Sequence, residues 1–155
     1  MKFIFLFLGK TREKYLQQGI NDFAGRLGRY VDVEIVTLKE RYSRNTSEDV
    51  VRRRGGDILL AGCDDKGLKV VLDFAGRQYD SVEVASLIKG WRESGRRDIY
   101  FLIGGHLGLP EKVIRRADCV WCLSRLTFTH EMTRLILLEQ LYRACTINAG
   151  GKYHK

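Results

Sequence analysis

Six consecutive apolar residues, Phe3 to Leu8, lie near the start of the sequence and restrict the fold more than any other feature. The run is far too short to cross a bilayer as a helix. A strand without polar alternation has both faces buried, which is typical of central strands in parallel sheets that helices cover on each side. The sequence therefore predicts an α/β fold with Phe3–Leu8 as a central parallel strand.

Strand and helix patterns alternate along the rest of the chain. The further predicted strands are 31–38, 68–73, 99–103 and 119–123. The predicted helices are about 11–30, about 46–61, 81–94, a short one after Pro110, and 129–147. Thr46 and Asp49 have the spacing of a cap for the second helix, which continues to about residue 61 although Gly55-Gly56 weaken it, and Ser81 is the expected cap of the third. This alternation predicts a single domain, residues 1–155, with a parallel sheet and helices on both faces.

The net charge of +8, from 27 Lys and Arg against 19 Asp and Glu, favours a polyanionic partner. Neutralising phosphates releases condensed counterions, so such a surface binds nucleic acid readily. Three arginine clusters, 52–54, 96–97 and 115–116, strengthen this interpretation. Solvated charges with no ligand are the alternative.

Neither a secretory signal pattern nor an apolar run long enough for a membrane is found, so we expect a cytoplasmic protein without membrane contact. Of the four cysteines, Cys119 and Cys122 form a CxxC pattern, but within a predicted strand their side chains point to opposite faces. A zinc site would also need further well-spaced ligands. We expect buried core thiols, no disulfide and no metal.

Three predicted strand ends are suited to form one pocket, at 72–76, 104–108 and 123–128. Ligands of open α/β sheets bind outside the carboxyl ends of the strands, and glycine pairs such as Gly104-Gly105 permit close backbone approach and positive φ. Pro110 suits the first position of the following helix. A dinucleotide fingerprint would instead follow the first strand, and no GK[ST] phosphate loop occurs. A cofactor without phosphates, held by backbone amides and apolar walls, fits best; tight turns without a ligand are the alternative.

The last predicted helix is apolar over about half of its circumference, which is more than one sheet needs to cover. We therefore expect a second apolar partner for it. Its apolar residues are Leu135, Leu137, Leu138, Leu141, Tyr142, Ala144 and Cys145. The three histidines, His106, His130 and His154, form no nucleophilic set; a histidine near a polyanion can bind phosphate or move a proton.

Three segments together resemble one known family. They are LIGGHLGLP from Leu102, LSRLTFTHEMTRLILLEQLYRA from Leu123, and the terminal KYHK from Lys152. In this order they are similar to the RlmH (YbeA-type) family of SPOUT-class methyltransferases of the large-subunit ribosomal RNA, over the whole chain. Many relatives have proline where this chain has Thr129, and threonine is a competent N-cap.

The resemblance implies a deep trefoil knot in the C-terminal part, a homodimer, and methylation of N3 of a pseudouridine in 23S rRNA of the assembled ribosome. It implies that S-adenosylmethionine is bound by Leu72, Gly104, Gly105, Leu123, Ser124, Arg125, Leu126, Thr127 and Phe128. Candidates for handling the N3 proton are His154, Tyr153 and Arg143, and His130 and Arg134 are expected to hold RNA.

Two other functions stay open at this point. A non-enzymatic ribosome- or RNA-associated α/β binding domain would explain the basic clusters, but it would not need the LSxxTF segment and the tail together. A nucleotide-binding redox protein using Cys119 and Cys122 is disfavoured by the placement of both residues in a strand.

Overall fold

The computed structural model describes residues 1–43 and 45–154, with the side chain of residue 154 left out. Five strands alternate with five α-helices, as predicted. The strands are β1 (Lys2–Leu8), β2 (Asp32–Leu38), β3 (Leu68–Arg77), β4 (Asp98–Ile103) and β5 (Cys119–Trp121). The helices are α1 (Lys14–Leu27), α2 (Glu48–Ala61), α3 (Ser81–Glu93), α4 (Glu111–Arg115) and α5 (His130–Asn148), followed by a 3₁₀ helix, Lys152–His154.

The strands form one parallel sheet in the order β2-β1-β4-β3-β5. Residues 3–8 of β1 are all buried and pair with β2 and β4, which confirms the prediction of a central parallel strand. β2 is an edge strand whose residues alternate between exposed and half-buried. Because all strands are parallel, their carboxyl ends lie along one edge of the sheet.

Helices cover both faces of the sheet, again as predicted. α1, α3 and α5 pack on one face, where Phe5 and Phe101 stack with ring centres 5.1 Å apart. α2 and α4 cover the other face through Leu59 and Val113. No helix in the described part of the chain is both long enough and apolar enough to cross a membrane.

The wide apolar arc of α5 is explained within the chain. α5 lies against the sheet and contacts both α1 and α3, and every residue from 130 to 147 is buried or half-buried. The second apolar partner that we expected is therefore this pair of helices. The arc by itself gives no reason for a dimer.

Several element ends differ from the sequence predictions because local hydrogen bonds decide them. β3 runs on to Arg77, with an irregular pairing to β5 between Leu72 and Arg77, instead of ending at residue 73. α3 is capped by Asp80, not Ser81: Asp80 accepts the Val82 and Glu83 N–H groups and completes a capping box.

The starts of α2 and α4 also differ from the predictions, whereas the start of α5 does not. Ser47, with no side-chain cap bond, precedes α2, while Thr46 bonds to Ser43. Pro110 is the N-cap residue of α4 and not its first helical residue. Thr129 does cap α5, since its Oγ1 accepts the Met132 N–H at 3.2 Å.

Candidate functional site

Two adjoining cavities of about 250 and 640 Å³ lie at the carboxyl edge of the sheet, where the three glycine-containing or polar turns meet. The smaller cavity is lined by all of residues 123–128, and the larger one by Gly104 and Gly105. The residues that line both cavities are Leu72, Asp73, Phe74, Thr127, Phe128 and Thr133. The structure thus places all nine residues predicted to bind the cofactor around two cavities that share six lining residues; that they bind it stays a prediction.

The irregular part of β3, residues 73–76, forms a turn within the strand, called the β3 turn here, and reaches the cavities because Gly76 lets two backbones cross closely. A Cβ at Gly76 would lie 2.6 Å from the carbonyl of Val120, so only glycine permits this approach. Next to the crossing, the Cys122 N–H donates to the Arg77 carbonyl at 2.9 Å. Asp73 accepts the Ala75 N–H at 2.9 Å, which bends the chain into the turn. The β3 turn and residues 123–128 are therefore held together as one wall.

Packing, and not backbone conformation, explains Gly104. A Cβ there would lie 2.9 Å from Leu109 Cγ and 3.0 Å from the Gly108 oxygen. The positive φ of this turn is at Gly108, +72°, and neither Gly104 nor Gly105 has one, contrary to the sequence-based expectation. A Cβ at Gly105 would meet only Glu40 Oε2, at 3.9 Å, so position 105 has room.

Two large apolar side chains stand exposed at the mouth of the cavities. Phe74 is 88% exposed and Leu126 is 73% exposed. Exposed apolar groups beside a cavity mark a surface that a ligand or partner covers. Sequence reasoning placed residues 72–76 at the pocket and named Leu126 for the cofactor, but it gave no role to Asp73 or Phe74 and missed Thr133.

His130 lies at the start of α5 and lines the larger cavity together with His106. Burial and the nearby Arg134 lower the pKa of His130, so its imidazole is neutral at pH 7. A neutral imidazole can accept a proton or a hydrogen bond but carries no charge toward a phosphate. The position of His130 is therefore compatible with contact to a substrate base.

Arg134 is placed differently from what we expected. It is fully buried, donates from Nη1 to Thr11 Oγ1 at 2.9 Å and from Nη2 to the Leu8 carbonyl at 2.5 Å, and lies 4.7 Å from the Phe7 ring centre. A side chain with no exposed surface is not available to RNA. Arg134 instead ties the end of β1 to α5.

Glu40 is a further residue near the site that the sequence reasoning missed. It lies in the polar loop after β2, and its Oε1 accepts the Tyr42 hydroxyl at 2.7 Å. Burial and this carboxylate raise the pKa of Tyr42. Glu40 Oε2 faces Gly105, so a carboxylate lies beside the turn after β4. This turn lines the larger cavity on one side and, on the other, a small cleft that it forms with α2.

Of the three residues predicted to be catalytic, Arg143 lies on α5, and Tyr153 of the tail packs against it. The Arg143 guanidinium lies 4.7 Å from the Tyr153 ring centre, and Glu139 accepts both Arg143 Nη2, at 2.6 Å, and the Tyr153 hydroxyl, at 3.2 Å. Burial and Glu139 raise the pKa of Tyr153, which keeps its phenol protonated. The side chain of His154 lies outside the described residues.

Neither Arg143 nor Tyr153 lines the cavities of its own chain. Thr133 lines both cavities, whereas Arg143 lies ten residues further along the same helix. At 1.5 Å per residue, that separation is about 15 Å along the axis. One chain in this conformation therefore does not bring Arg143 and Tyr153 to the cavities.

The cysteines and acidic residues give no sign of redox or metal chemistry. All four cysteines are free; Cys122 and Cys145 are buried, while Cys63 and Cys119 are only half-buried. Burial raises the pKa of Cys63 and of Cys145 to about 11, so these thiols are protonated at neutral pH. Across residues 1–43 and 45–154, no three His, Cys, Asp or Glu side chains are grouped in a way that would hold a metal ion.

Comparison with known proteins agrees with this architecture. The family described as "Predicted SPOUT methyltransferase" matches residues 1–154. A "Ribosomal RNA large subunit methyltransferase H" of Trichlorobacter lovleyi is 42% identical over 154 residues, covering 99% of each chain. The protein of the same name from Desulfotalea psychrophila is 39% identical over 155 residues, covering both chains fully. The chain therefore belongs to the SPOUT methyltransferase family.

Proposed function

We propose that this protein transfers a methyl group from S-adenosylmethionine to N3 of a pseudouridine in 23S rRNA of the assembled ribosome. Its relatives are named as methyltransferases of the large-subunit ribosomal RNA. The net charge of +8 suits an RNA substrate. The observation that carries the proposal is the pair of adjoining cavities that residues 72–74, 104–105 and 123–128 line.

The residues around this space fit S-adenosylmethionine. Leu72, Leu123 and Phe128 offer apolar walls for an adenine ring, and the exposed Phe74 and Leu126 would be covered by a ligand. Asp73 places a carboxylate in the same space, where it can accept hydrogen bonds from hydroxyl or amino groups. When bound, this cofactor supplies a methyl group already activated on a sulfonium.

The protein must also deal with the proton on N3 of the target base, because that nitrogen needs a free electron pair to accept a methyl group. Tyr153 is a poor base, since its pKa is raised, but its hydroxyl can donate a hydrogen bond. Arg143 supplies a cation that stabilises negative charge developing on the base. His154 is the titratable group of the tail and is our candidate for the base. His130, which lines the larger cavity, is our candidate for holding the RNA.

A homodimer would resolve the separation between the tail and the cavities. Arg143 lies about 15 Å along α5 from Thr133, and neither Arg143 nor Tyr153 lines either of the two cavities, so we propose that the tail of one chain serves the cavity of its partner. Two-fold pairs are the commonest soluble assembly. The wide apolar arc of α5 does not support this dimer, because α1 and α3 cover it. The support comes from the distance between Arg143 and the cavities of its own chain.

The deep trefoil knot is also part of the proposal. At Gly76 a Cβ would lie 2.6 Å from Val120, so the β3 turn packs tightly against β5, which leads into residues 123–128. We infer the knot, a C-terminal segment threaded through a loop and a rare exception to the usual topology rules, from membership of the SPOUT family.

Single-turnover methyl transfer to intact ribosomes and to free rRNA tests this function. We expect transfer to ribosomes at N3 of one pseudouridine, located by mass spectrometry of rRNA fragments, and cofactor binding by calorimetry. Ribosome binding without any cofactor binding would instead favour the non-enzymatic RNA-associated domain.

Mixed dimers test the shared site. One chain lacks residues 153–155, and the other carries Gly105→Val to block the cavity. If the tail acts on the partner's cavity, the mixed dimer is more active than both the slowed truncated dimer and the inactive Gly105→Val dimer. If the tail acts on its own cavity, the mixed dimer is no more active than the truncated dimer. Light scattering that shows an active 17.9 kDa monomer would refute the dimer.

A further inference from the structure

The structure separates the three arginine clusters of the sequence into two groups. Residues 52–54 belong to α2 and residues 115–116 to the end of α4, and these two helices cover the same face of the sheet. Residues 96–97 directly precede β4, at the amino end of the sheet, where the Arg97 carbonyl accepts the Lys2 N–H. One pair of clusters is therefore close together, and the third lies at the end of the sheet opposite the cavities.

α2 and α4 form one continuous surface. Gly56 has no room for a side chain because a Cβ there would overlap the ring of Pro110, so the two helices approach closely. Lys112 on α4 pairs with Asp57 on α2 at 2.6 Å. The α2–α4 basic surface, as we define it, consists of Arg52, Arg53, Arg54, Lys112, Arg115 and Arg116, all of which are exposed.

Ion pairs on this surface use up most of its acidic side chains. Asp49 pairs with Arg52 at 2.7 Å, and Glu111 pairs with Arg115 at 2.6 Å. Among the described residues, Arg53, Arg54 and Arg116 have no carboxylate within ion-pair distance. These three guanidinium groups remain available for external anions.

The surface runs up to the candidate active site. Arg52 and Gly55 of α2 border a small cleft with Gly105, His106 and Gly108. The same three turn residues line the larger of the two cavities. An RNA strand lying on α2 and α4 would therefore lead directly to the mouth of that cavity.

We propose that the α2–α4 basic surface binds the phosphates of the RNA next to the target nucleotide, and that Arg96 and Arg97 do not take part. This inference rests on the proposed function for the identity of the RNA. Arginine suits the task because its planar fork matches phosphate geometry and stays charged. Contacts of this kind position the RNA without reading its sequence, which leaves recognition of the base to the cavity.

Two double variants form a matched test. Arg53→Gln with Arg116→Gln removes two charges from the surface, and Arg96→Gln with Arg97→Gln removes two from the amino end of the sheet. Each lowers the net charge of +8 by two, and none of these four side chains makes an ion pair in the described structure. Binding to intact ribosomes is measured by sedimentation between about 50 and 200 mM salt, with cofactor calorimetry as a check on folding.

We expect the Arg53/Arg116 variant to bind about tenfold more weakly and its salt slope to fall by about 1.5, because each lost phosphate contact removes nearly one released counterion. The Arg96/Arg97 variant should stay within about twofold of wild type. Equal losses in both variants, a larger loss in the Arg96/Arg97 variant, or no ribosome binding by the wild type would overturn the proposal. Wild-type ribosome binding through this surface without methyl transfer would refute the proposed function alone.

Discussion

Replacing Arg134 by methionine tests whether this residue supports the fold or contacts RNA. The guanidinium is fully buried, bonded to the Leu8 carbonyl and the Thr11 hydroxyl, and set against the Phe7 ring. Its Nε has no hydrogen-bond partner among the described residues. Methionine has a similar length and fills much of the same volume, so the change removes the bonds and the charge without opening a large cavity.

The expected loss of stability follows from the groups left behind. The Leu8 carbonyl is buried and would lose a charge-assisted bond, which costs about 1–3 kcal/mol when no other donor replaces it. The half-buried Thr11 hydroxyl can turn toward water and adds little. Loss of the cation–π contact with Phe7 costs about 1 kcal/mol more. Part of this total cost is offset, because methionine removes a buried charge and the unpaired Nε. We expect a net loss of about 2–3 kcal/mol in the free energy of unfolding.

Urea unfolding measures this loss, and ribosome binding of the folded variant gives the second reading. With a slope near 2 kcal/mol/M, the midpoint should fall by about 1–1.5 M. Thr11→Ser is the matched control: it keeps the hydroxyl that accepts the Arg134 Nη1 bond and should shift the midpoint much less. Unchanged stability together with lost ribosome binding would refute the structural role and restore Arg134 as an RNA contact.

Three further predictions concern the site. Deleting residues 153–155 should leave cofactor affinity intact but slow single-turnover methyl transfer at least about tenfold, roughly 1.4 kcal/mol of barrier; full-rate transfer would remove the tail from catalysis. Gly105→Val should fold, since a Cβ there meets only Glu40 at 3.9 Å, yet should abolish cofactor binding by calorimetry; unchanged affinity would refute the placement. Burial lowers the pKa of His130, so the unfolded chain binds its proton first as the pH falls below about 6.5. Wild type should therefore lose more stability than His130→Gln between about pH 7.5 and pH 5.5, and equal losses would contradict this.

The parallel sheet could be predicted because β1 and β4 are continuous apolar runs, a pattern that depends on local sequence and burial alone. The pocket could be placed because parallel strands end at one edge. The role of Arg134 could not be predicted, because an arginine in a helix is normally expected to be exposed. Its partner, the carbonyl of Leu8, lies 126 residues away in the sequence, and only the folded structure shows this contact. The same limit applies to the wide apolar arc of α5, because periodicity counts apolar residues but does not say whether α1 and α3 or another chain cover them.

The glycines show most clearly where the sequence predicted the position of a turn but not why a glycine is needed there. Close backbone approach to a ligand and positive φ were the expected roles of Gly104 and Gly105; the first stays a prediction, and neither residue has a positive φ. At Gly56, Gly76 and Gly104 a Cβ would instead collide with a neighbouring residue. The first of these contacts brings α4 against α2, the second brings β3 across β5, and the third compacts the turn after β4. Together they set the distances between the three turns, so an alanine at Gly76 should disturb both walls of the cavity even though it touches no ligand. Since the pocket depends on backbones being this close, its shape is a property of the packed fold.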